Sequence, residues 1–311
     1  MQAKVLANTL HMDRRAWLEA RKQGLGGSDV AAIACLSKWK SQVQVFLEKT
    51  QAIEQEDIQS EAAYFGNVLE EVVAQEFAKR TGLKVQRRNA ILQHPEYPWM
   101  LANVDRLIVG ERLGLECKSA SEYLKKEWEG DEIPVAYLLQ CQHYMAVTGY
   151  EAWWIAVLIG GNKFIYKQIE RDEDIIQYLI NMERDFWQNH VEKGEPPMFD
   201  GSEASTQLLK QMYPESIEDS SISLGKQEEL LIEAREQVER EISVLKEQKA
   251  EYENKLKAKL GSHEKGTTEN YAIKWKSYTS NRFDSKRFKT EHPDLHKEYT
   301  NETISRKFSV K

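Results

Sequence analysis

The stretch from Trp99 to Ser119 constrains this chain more tightly than any other part of it. Trp99–Val109 and Leu113–Ser119 read as two strands about a turn at Gly110-Glu111-Arg112. Side chains along a strand alternate between its two faces. Leu113, Leu115 and Cys117 therefore belong to a core, and Gly114, Glu116 and Lys118 to the opposite face. With a two-residue loop, Val109 lies opposite Arg112, and counting back places Asp105 opposite Glu116. Directly opposed residues hold their Cβ atoms about 4.5–5.5 Å apart. Two carboxylates then converge on one small volume of a sheet, with an ammonium beside them.

Periodicity supplies the elements around this hairpin. Asp13 to about Lys49 reads as helical, broken at Gly24-Leu25-Gly26-Gly27, with Asp13 capping the first helix and Ser28 capping a second over Asp29–Leu36. In Glu61–Arg80, Phe65, Val68, Leu69, Val72, Val73 and Phe77 recur at helical spacing, and Thr81-Gly82 closes the run. After the two strands comes a helix with Pro134 near its first turn and Gly149 past its end. Ala152–Ile159 and Lys163–Ile169 form a hairpin about Gly160-Gly161-Asn162, and a long helix follows from about Asp172 to Lys193, stopped by Gly194. This order predicts an α/β domain over residues 1–200. Residues 201–311 read as a C-terminal extension, a long helix followed by a small α+β piece. Lys226–Leu260 is dense in Glu and Lys, and Leu231, Val238, Leu245 and Tyr252 repeat every seven residues, the pattern of an amphipathic coiled-coil arm. Tyr271–Lys311 carries ten Lys or Arg against five Asp or Glu, and is expected as strand–helix–strand.

Composition removes several classes of function. With 311 residues, 41% hydrophobic and 30% charged, the chain can bury a core and remain solvated. No apolar run approaches the roughly 20 residues of a spanning helix, and Met-Gln-Ala-Lys-Val-Leu-Ala-Asn is too short and polar for a secretory signal. A cytoplasmic protein without membrane contact is expected. Cys35, Cys117 and Cys141 are scattered with no C-x-x-C pair, so free buried thiols are expected rather than a zinc or iron–sulfur site. A net charge of -7 argues against general nucleic-acid binding. It leaves open a nuclease, whose carboxylates are balanced by metal ions and whose basic groups line one groove.

Phosphodiester hydrolysis needs what the hairpin offers. Asp105 and Glu116 can hold a hard cation such as Mg²⁺, with the Cys117 carbonyl between the two strand side chains as a further ligand. Lys118 can orient the attacking water and offset charge on the transition state. Asp…Glu-x-Lys is a common pattern, so its neighbours decide its weight. Glu70, Glu71 and Glu76 lie on the preceding helix; Glu70 flanks the apolar arc with Gly66, but Glu76 is nearer its centre, and periodicity leaves the choice of a third carboxylate open. Gln140 and Tyr144 share a helix face, and an amide there can bond a water or a phosphate, while His143 reads as a packing or surface residue. Arg21, Ser28 and Lys38 surround a glycine-rich turn that opens a helix, a setting for a phosphate. No Gly-Lys-Ser/Thr follows, which excludes a nucleotide-hydrolysing P-loop.

Taken together, Trp17-x-x-x-Arg21, Gly26-Gly27-Ser28-Asp29, Gly66-x-x-x-Glu70, Asp105, Glu116-x-Lys118 and Gln140-x-Gln142 occur in the order seen in the YqaJ-type viral recombinases, a family similar to the exonuclease of phage lambda. The resemblance covers roughly residues 13 to 195, and the C-terminal extension also looks like that of YqaJ-type relatives. It implies a PD-(D/E)XK restriction-endonuclease-like core, with a mixed central sheet flanked by helices. It implies a Mg²⁺-dependent 5′-to-3′ exonuclease on double-stranded DNA ends, Mn²⁺ substituting, whose 3′ single-stranded tails serve a phage or prophage annealing recombinase. Carried over by residue, Asp105, Glu116 and the Cys117 carbonyl would bind one ion and Glu70 a second. Lys118 and Gln140 would position the water, and Arg21, Ser28 and Lys38 would hold the 5′ phosphate.

Two departures stand out. Asn103-Val104-Asp105 replaces the Ser-Pro-Asp of the lambda enzyme, so Asn103 is expected to take over the lost phosphate contact. The long arm at Lys226–Leu260 is absent from that enzyme, so its ring trimer need not transfer. The arm could instead mediate assembly or recruit the annealing protein. In the tail, Trp275, Tyr278, Arg282, Phe283, Lys286, Arg287 and Phe288 could meet DNA by charge and stacking, or form a small packed subdomain. Competing readings are a site- or structure-specific endonuclease of the same fold, and a non-catalytic DNA-end-binding scaffold. A Cas4-like nuclease lacks support because its cluster-binding cysteines are missing.

Overall fold

A computed structural model of the protein describes residues 2–50 and 61–310. The described chain falls into two compact units, Met1–Met212 and Tyr213–Lys311.

In the first unit, β1 (Lys4–Asn8) leads to α1 (Arg14–Arg21), the short β2 (Leu25–Gly26), α2 (Gly27–Ile33) and α3 (Gln42–Thr50). Asp13 caps α1 as expected, its Oδ1 accepting the Ala16 N–H at 2.8 Å. Ser28 does not cap the next helix: α2 begins two residues earlier than expected, with Gly26 at its cap and the Asp29 carboxylate accepting the Gly26 N–H at 3.0 Å. A glycine cap has no side chain to bond the turn, so an acid three residues on closes it.

Next come α4 (Glu61–Thr81), β3 (Val85–Arg87), β4 (Ala90–Gln93), β5 (Met100–Ala102), β6 (Arg106–Ile108) and β7 (Leu113–Ala120). The single strand expected over Trp99–Val109 is two. β5 and β6 are separated at residues 103–105 and belong to different sheets, so the chain crosses from one to the other at Asp105. The first sheet has the order β1-β4-β5-β2. After β7, a 3-10 turn and α5 (Val135–Thr148) cross over to β8 (Ala152–Ile159), which turns back into β9 (Lys163–Glu170). The second sheet has the order β3-β6-β7-β8-β9, with β7 and β8 parallel and the other pairs antiparallel. A parallel neighbour requires such a helical crossover. α5 ends at Gly149, whose φ of 71° is the left-handed conformation that favours glycine.

The two faces of β7 pack as alternation requires. Leu115 and Cys117 meet Val73, Ala74 and Phe77 of α4, together with Ala156. On the other face lies the larger core of Tyr144, Met145, Trp153, Ile155 and Val157. A Cβ on Gly114 would fall 2.2 Å from the Trp153 ring, so only glycine lets that indole lie flat across β7. Not all of the apolar arc expected on α4 is covered: Phe65, Val68 and Val72 are exposed, and burial is confined to Val73, Ala74 and Phe77.

α6 (Glu173–Phe186) continues into a wider π turn at Trp187–Val191 and is followed by α7 (Glu203–Met212). Cys117 and Cys141 are free and buried, but Cys35 is exposed, because it sits at the open end of α2 with a φ of 56°. In the second unit, α8 (Lys226–Leu260) leaves Leu231, Val238, Leu245 and Tyr252 exposed. β10 (Lys265–Thr267) and β11 (Ala272–Lys274) pair, and α9 (Ser285–Glu291) and α10 (Pro293–Glu298) follow. The expected second strand of the tail is not found among the described residues; Pro293 instead starts a second short helix. Lys311 lies outside the described residues. Among the described residues no helix is long and apolar enough to cross a membrane.

Candidate active site

A cleft of about 710 Å³ opens where the chain passes between the two sheets. Glu70, Asn103, Asp105, Glu116 and Gln140 line it, together with Arg21 and Ser28.

The β6–β7 register sets its floor. Arg106 lies opposite Leu115 and Leu107 opposite Gly114, and one further step puts Asp105 opposite Glu116. The expected register is therefore the observed one. Asp105 has left the ladder, but its Oδ2 accepts the Cys117 N–H at 2.8 Å, which ties the carboxylate to β7. Glu116 is buried; its Oε1 accepts from Gln140 Nε2 at 2.8 Å and pairs with Lys118 Nζ at 2.5 Å. The Gln140 amide also donates to Tyr144 Oη at 2.8 Å, the shared helix face expected of this pair. Lys118 Nζ stands 5.2 Å from the centre of the Tyr137 ring.

Burial, reinforced by the Glu116 charge and only partly relieved by Lys118, pushes the Asp105 carboxyl well above the usual carboxylate range. Burial works against the Lys118 ammonium too, but Glu116 and Asp105 outweigh it and hold its pKa above the ordinary lysine value. The floor thus has a fixed ammonium and too little positive charge for two ionised acids.

The residues present fit a divalent ion at this point. Glu116 Oε2 is buried with no hydrogen-bond partner, a costly state for a carboxylate oxygen. Two carboxylates and the Cys117 carbonyl are the hard oxygen donors that Mg²⁺ prefers. The third expected acid behaves differently. Glu70 lines the cleft and Glu76 does not, Glu76 being paired with Arg80 at 2.6 Å. Yet Glu70 Oε1 is bonded to Arg106, and among the described residues no three His, Cys, Asp or Glu side chains gather to hold a metal.

On the wall, the Arg21 guanidinium lies 4.5 Å over the Trp17 ring and donates to Ser28 Oγ at 3.0 Å. Beneath it Asp29 is fully buried and pairs with Lys40 at 3.0 Å and Lys49 at 2.8 Å. Burial opposes ionisation of Asp29, but Lys40, Lys49 and Arg21 overcome it and hold the carboxyl well below its ordinary value. Because Asp29 takes the Gly26 N–H, that amide is not available to an anion. Gly27 packs on Tyr144: a Cβ there would stand 2.6 Å from the ring, so the turn and the Gln140–Tyr144 pair are built against each other. Lys38 does not join Arg21 and Ser28; it pairs with Glu127 at 2.8 Å, away from this wall. Gln142 is also elsewhere, bonding Glu170 and Asp172. His143 is buried between Glu183 and the Leu101 carbonyl, both at 2.8 Å, a packing role.

Sequence reasoning missed Arg106, Arg87 and the Asp29–Lys40–Lys49 cluster. For Arg106 a signal existed: an arginine beside Leu107 and Ile108 in a strand has nowhere to go without a buried acid partner.

Residues 16–151 match the family of YqaJ-like viral recombinase domains. The chain is 44% identical over 312 residues to the uncharacterized protein YqaJ of Bacillus subtilis (strain 168), covering 100% of this chain and 98% of that protein. Among solved structures, the alkaline exonuclease LHK-Exo from Laribacter hongkongensis aligns with a TM-score of 0.50 and 18% identity, over 64% of this chain and 97% of that chain. LHK-Exo in complex with dAMP aligns equally, at 20% identity over 64% of this chain and 97% of that one.

Proposed function

Since the chain belongs to the YqaJ-like viral recombinase family and has the PD-(D/E)XK fold, mixed sheets flanked by helices, we propose that it is a Mg²⁺-dependent exonuclease acting from the 5′ ends of linear double-stranded DNA. The observation that carries this reading is the convergence of Asp105, Glu116, Lys118 and Gln140 on one floor, with Arg21 and Ser28 on the adjoining wall. The likeness to alkaline exonucleases adds weight.

In this reading Asp105, the orphaned Oε2 of Glu116 and the Cys117 carbonyl hold the ion, which when bound polarises the scissile phosphate and lowers the pKa of a water. Gln140 fixes the orientation of Glu116 through Nε2, and Tyr144 fixes Gln140. Lys118, kept as an ammonium by two carboxylates, orients the attacking water and offsets charge gathering on the phosphoryl oxygens. Arg21, flattened on Trp17, offers a forked donor pair to the 5′ phosphate, with Ser28 and Asn103 beside it. Seating the 5′ end there would set the reach to the scissile bond and leave a 3′ tail for an annealing protein.

A time course on linear duplex labelled at either end, with Mg²⁺ or a chelator, tests this. The expected result is release of 5′-labelled mononucleotides, persistence of the 3′ label on a shortening duplex, and no digestion with chelator. Asp105→Ala and Glu116→Ala should each abolish digestion while remaining folded. Internal fragments would indicate an endonuclease, DNA retention without cleavage a binding scaffold, and undiminished digestion by both variants a misassigned site.

A further inference from the structure

Arg106 is a buried charged residue beside the cleft that the chemistry above leaves unused. It is 3% exposed and points to the α4 side of the sheet, opposite to Glu116, which faces Gln140 of α5. There its guanidinium forks between two acids of one helix turn: Nη1 bonds Glu70 Oε1, and Nη2 bonds Glu71 Oε2 at 2.8 Å. Arg87, its neighbour across the β3–β6 ladder, adds a second guanidinium, 3.2 Å from Glu71 and 3.8 Å from Glu70. Nη1 of Arg106 also donates to the Asp105 carbonyl at 2.8 Å, so the same group fixes the backbone that carries Asp105.

The charges then divide into two sets. Glu70 and Glu71 are balanced by Arg106 and Arg87, whereas Asp105 and Glu116 have Lys118 alone between them. A guanidinium cannot shed its proton, and a buried one has no solvent to withdraw into. A second divalent ion at Glu70 would sit against it.

We propose that Arg106 is the fixed counter-cation of Glu70, and that the cleft therefore takes one divalent ion, at Asp105 and Glu116, rather than two. This deepens the metal-dependent reading and rests on it. Arg106 is a positioning residue: it holds Glu70 and the Asp105 backbone and touches no reacting atom.

Equilibrium dialysis of the full chain against Mn²⁺ alone tests the count. An ion is assigned to the cleft if Asp105→Asn or Glu70→Gln removes it. The wild type should bind one such ion, lost with Asp105→Asn. Arg106→Lys, which keeps the charge, should also bind one, and Arg106→Met should bind two. Two cleft ions in the wild type, or one in a folded Arg106→Met protein, overturns the proposal and leaves the nuclease reading standing. No cleft ion in the wild type, together with digestion that survives a chelator, removes the metal reading and this inference with it. Should Arg106→Met fail to fold, the wild-type count decides alone.

Discussion

Asp105→Asn should stabilise the metal-free protein while abolishing digestion. Asp105 is a partly buried carboxylate opposite Glu116, and its side chain accepts the Cys117 N–H. At a cross-strand separation of about 5 Å and an effective dielectric near 20, two such charges repel by roughly 3 kcal/mol. Lys118 offsets part of this from the Glu116 side. Asparagine removes the repulsion and the desolvation cost, and its carbonyl oxygen can still accept from Cys117. A net gain of about 1–2 kcal/mol follows, within the range that single stabilising substitutions commonly reach. For a unit of this size that raises Tm by roughly 2–8 °C. The assay is thermal unfolding with a chelator across a pH series. Because burial and Glu116 raise the folded-state pKa of Asp105, ionising it costs the folded protein stability. The advantage of the variant should be full above that raised pKa and fade as pH falls through it, since wild-type Asp105 is then protonated. Added Mg²⁺ should raise the wild type more than the variant. A variant less stable than wild type in chelator, or an advantage that grows as pH falls, would refute the reasoning.

Three further outcomes are expected. Gly27→Ala should cost about 1–3 kcal/mol in a urea titration, because its Cβ would enter the Tyr144 ring; an unshifted midpoint would mean that contact is loose. Asp29→Asn should cost about 3–5 kcal/mol, since it leaves Lys49 buried beside an uncharged partner. The depressed pKa of Asp29 makes its contribution present above the ordinary carboxylate range and lost as pH falls through the lowered value, so wild type and variant should converge only in strong acid. Arg21→Ala should reduce the preference for 5′-phosphorylated over unphosphorylated ends roughly tenfold or more, the worth of a charge-assisted hydrogen bond; equal loss on both ends would place Arg21 outside the phosphate contact.

What could be read before folding was whatever alternation and punctuation encode. Leu115, Glu116, Cys117 and Lys118 declare their faces by parity, and Gly110 and Gly149 mark the ends of their elements with positive φ. The opposition of Asp105 and Glu116 was legible for the same reason, although Asp105 lies just beyond the last ladder pair. The break of Trp99–Val109 into β5 and β6 was not, because nothing in Asn103-Val104-Asp105 forbids a strand; the crossing between sheets is a tertiary decision. Nor was the short reach of the α4 core, since Phe65, Val68 and Val72 satisfy the helical period without meeting the sheet.

The pairing of charges was the least legible part, for a physical reason. Periodicity states which way a side chain points relative to its own element, and an ion pair depends on what two elements bring together. Glu70 flanks the arc of α4 and Glu76 lies nearer its centre, but Glu76 finds Arg80 one turn along, whereas Glu70 meets a strand that carries an arginine on the facing side. Proximity in sequence groups Lys38 with Arg21, but Lys38 reaches Glu127, 89 residues away. The same separation of scales bears on the ion count. The sequence motif sees three acids and suggests ligands, whereas in the folded cleft Arg106 and Arg87 already meet Glu70, and Asp105 and Glu116 have Lys118 alone, which leaves room for one more cation where Glu116 Oε2 stands without a partner.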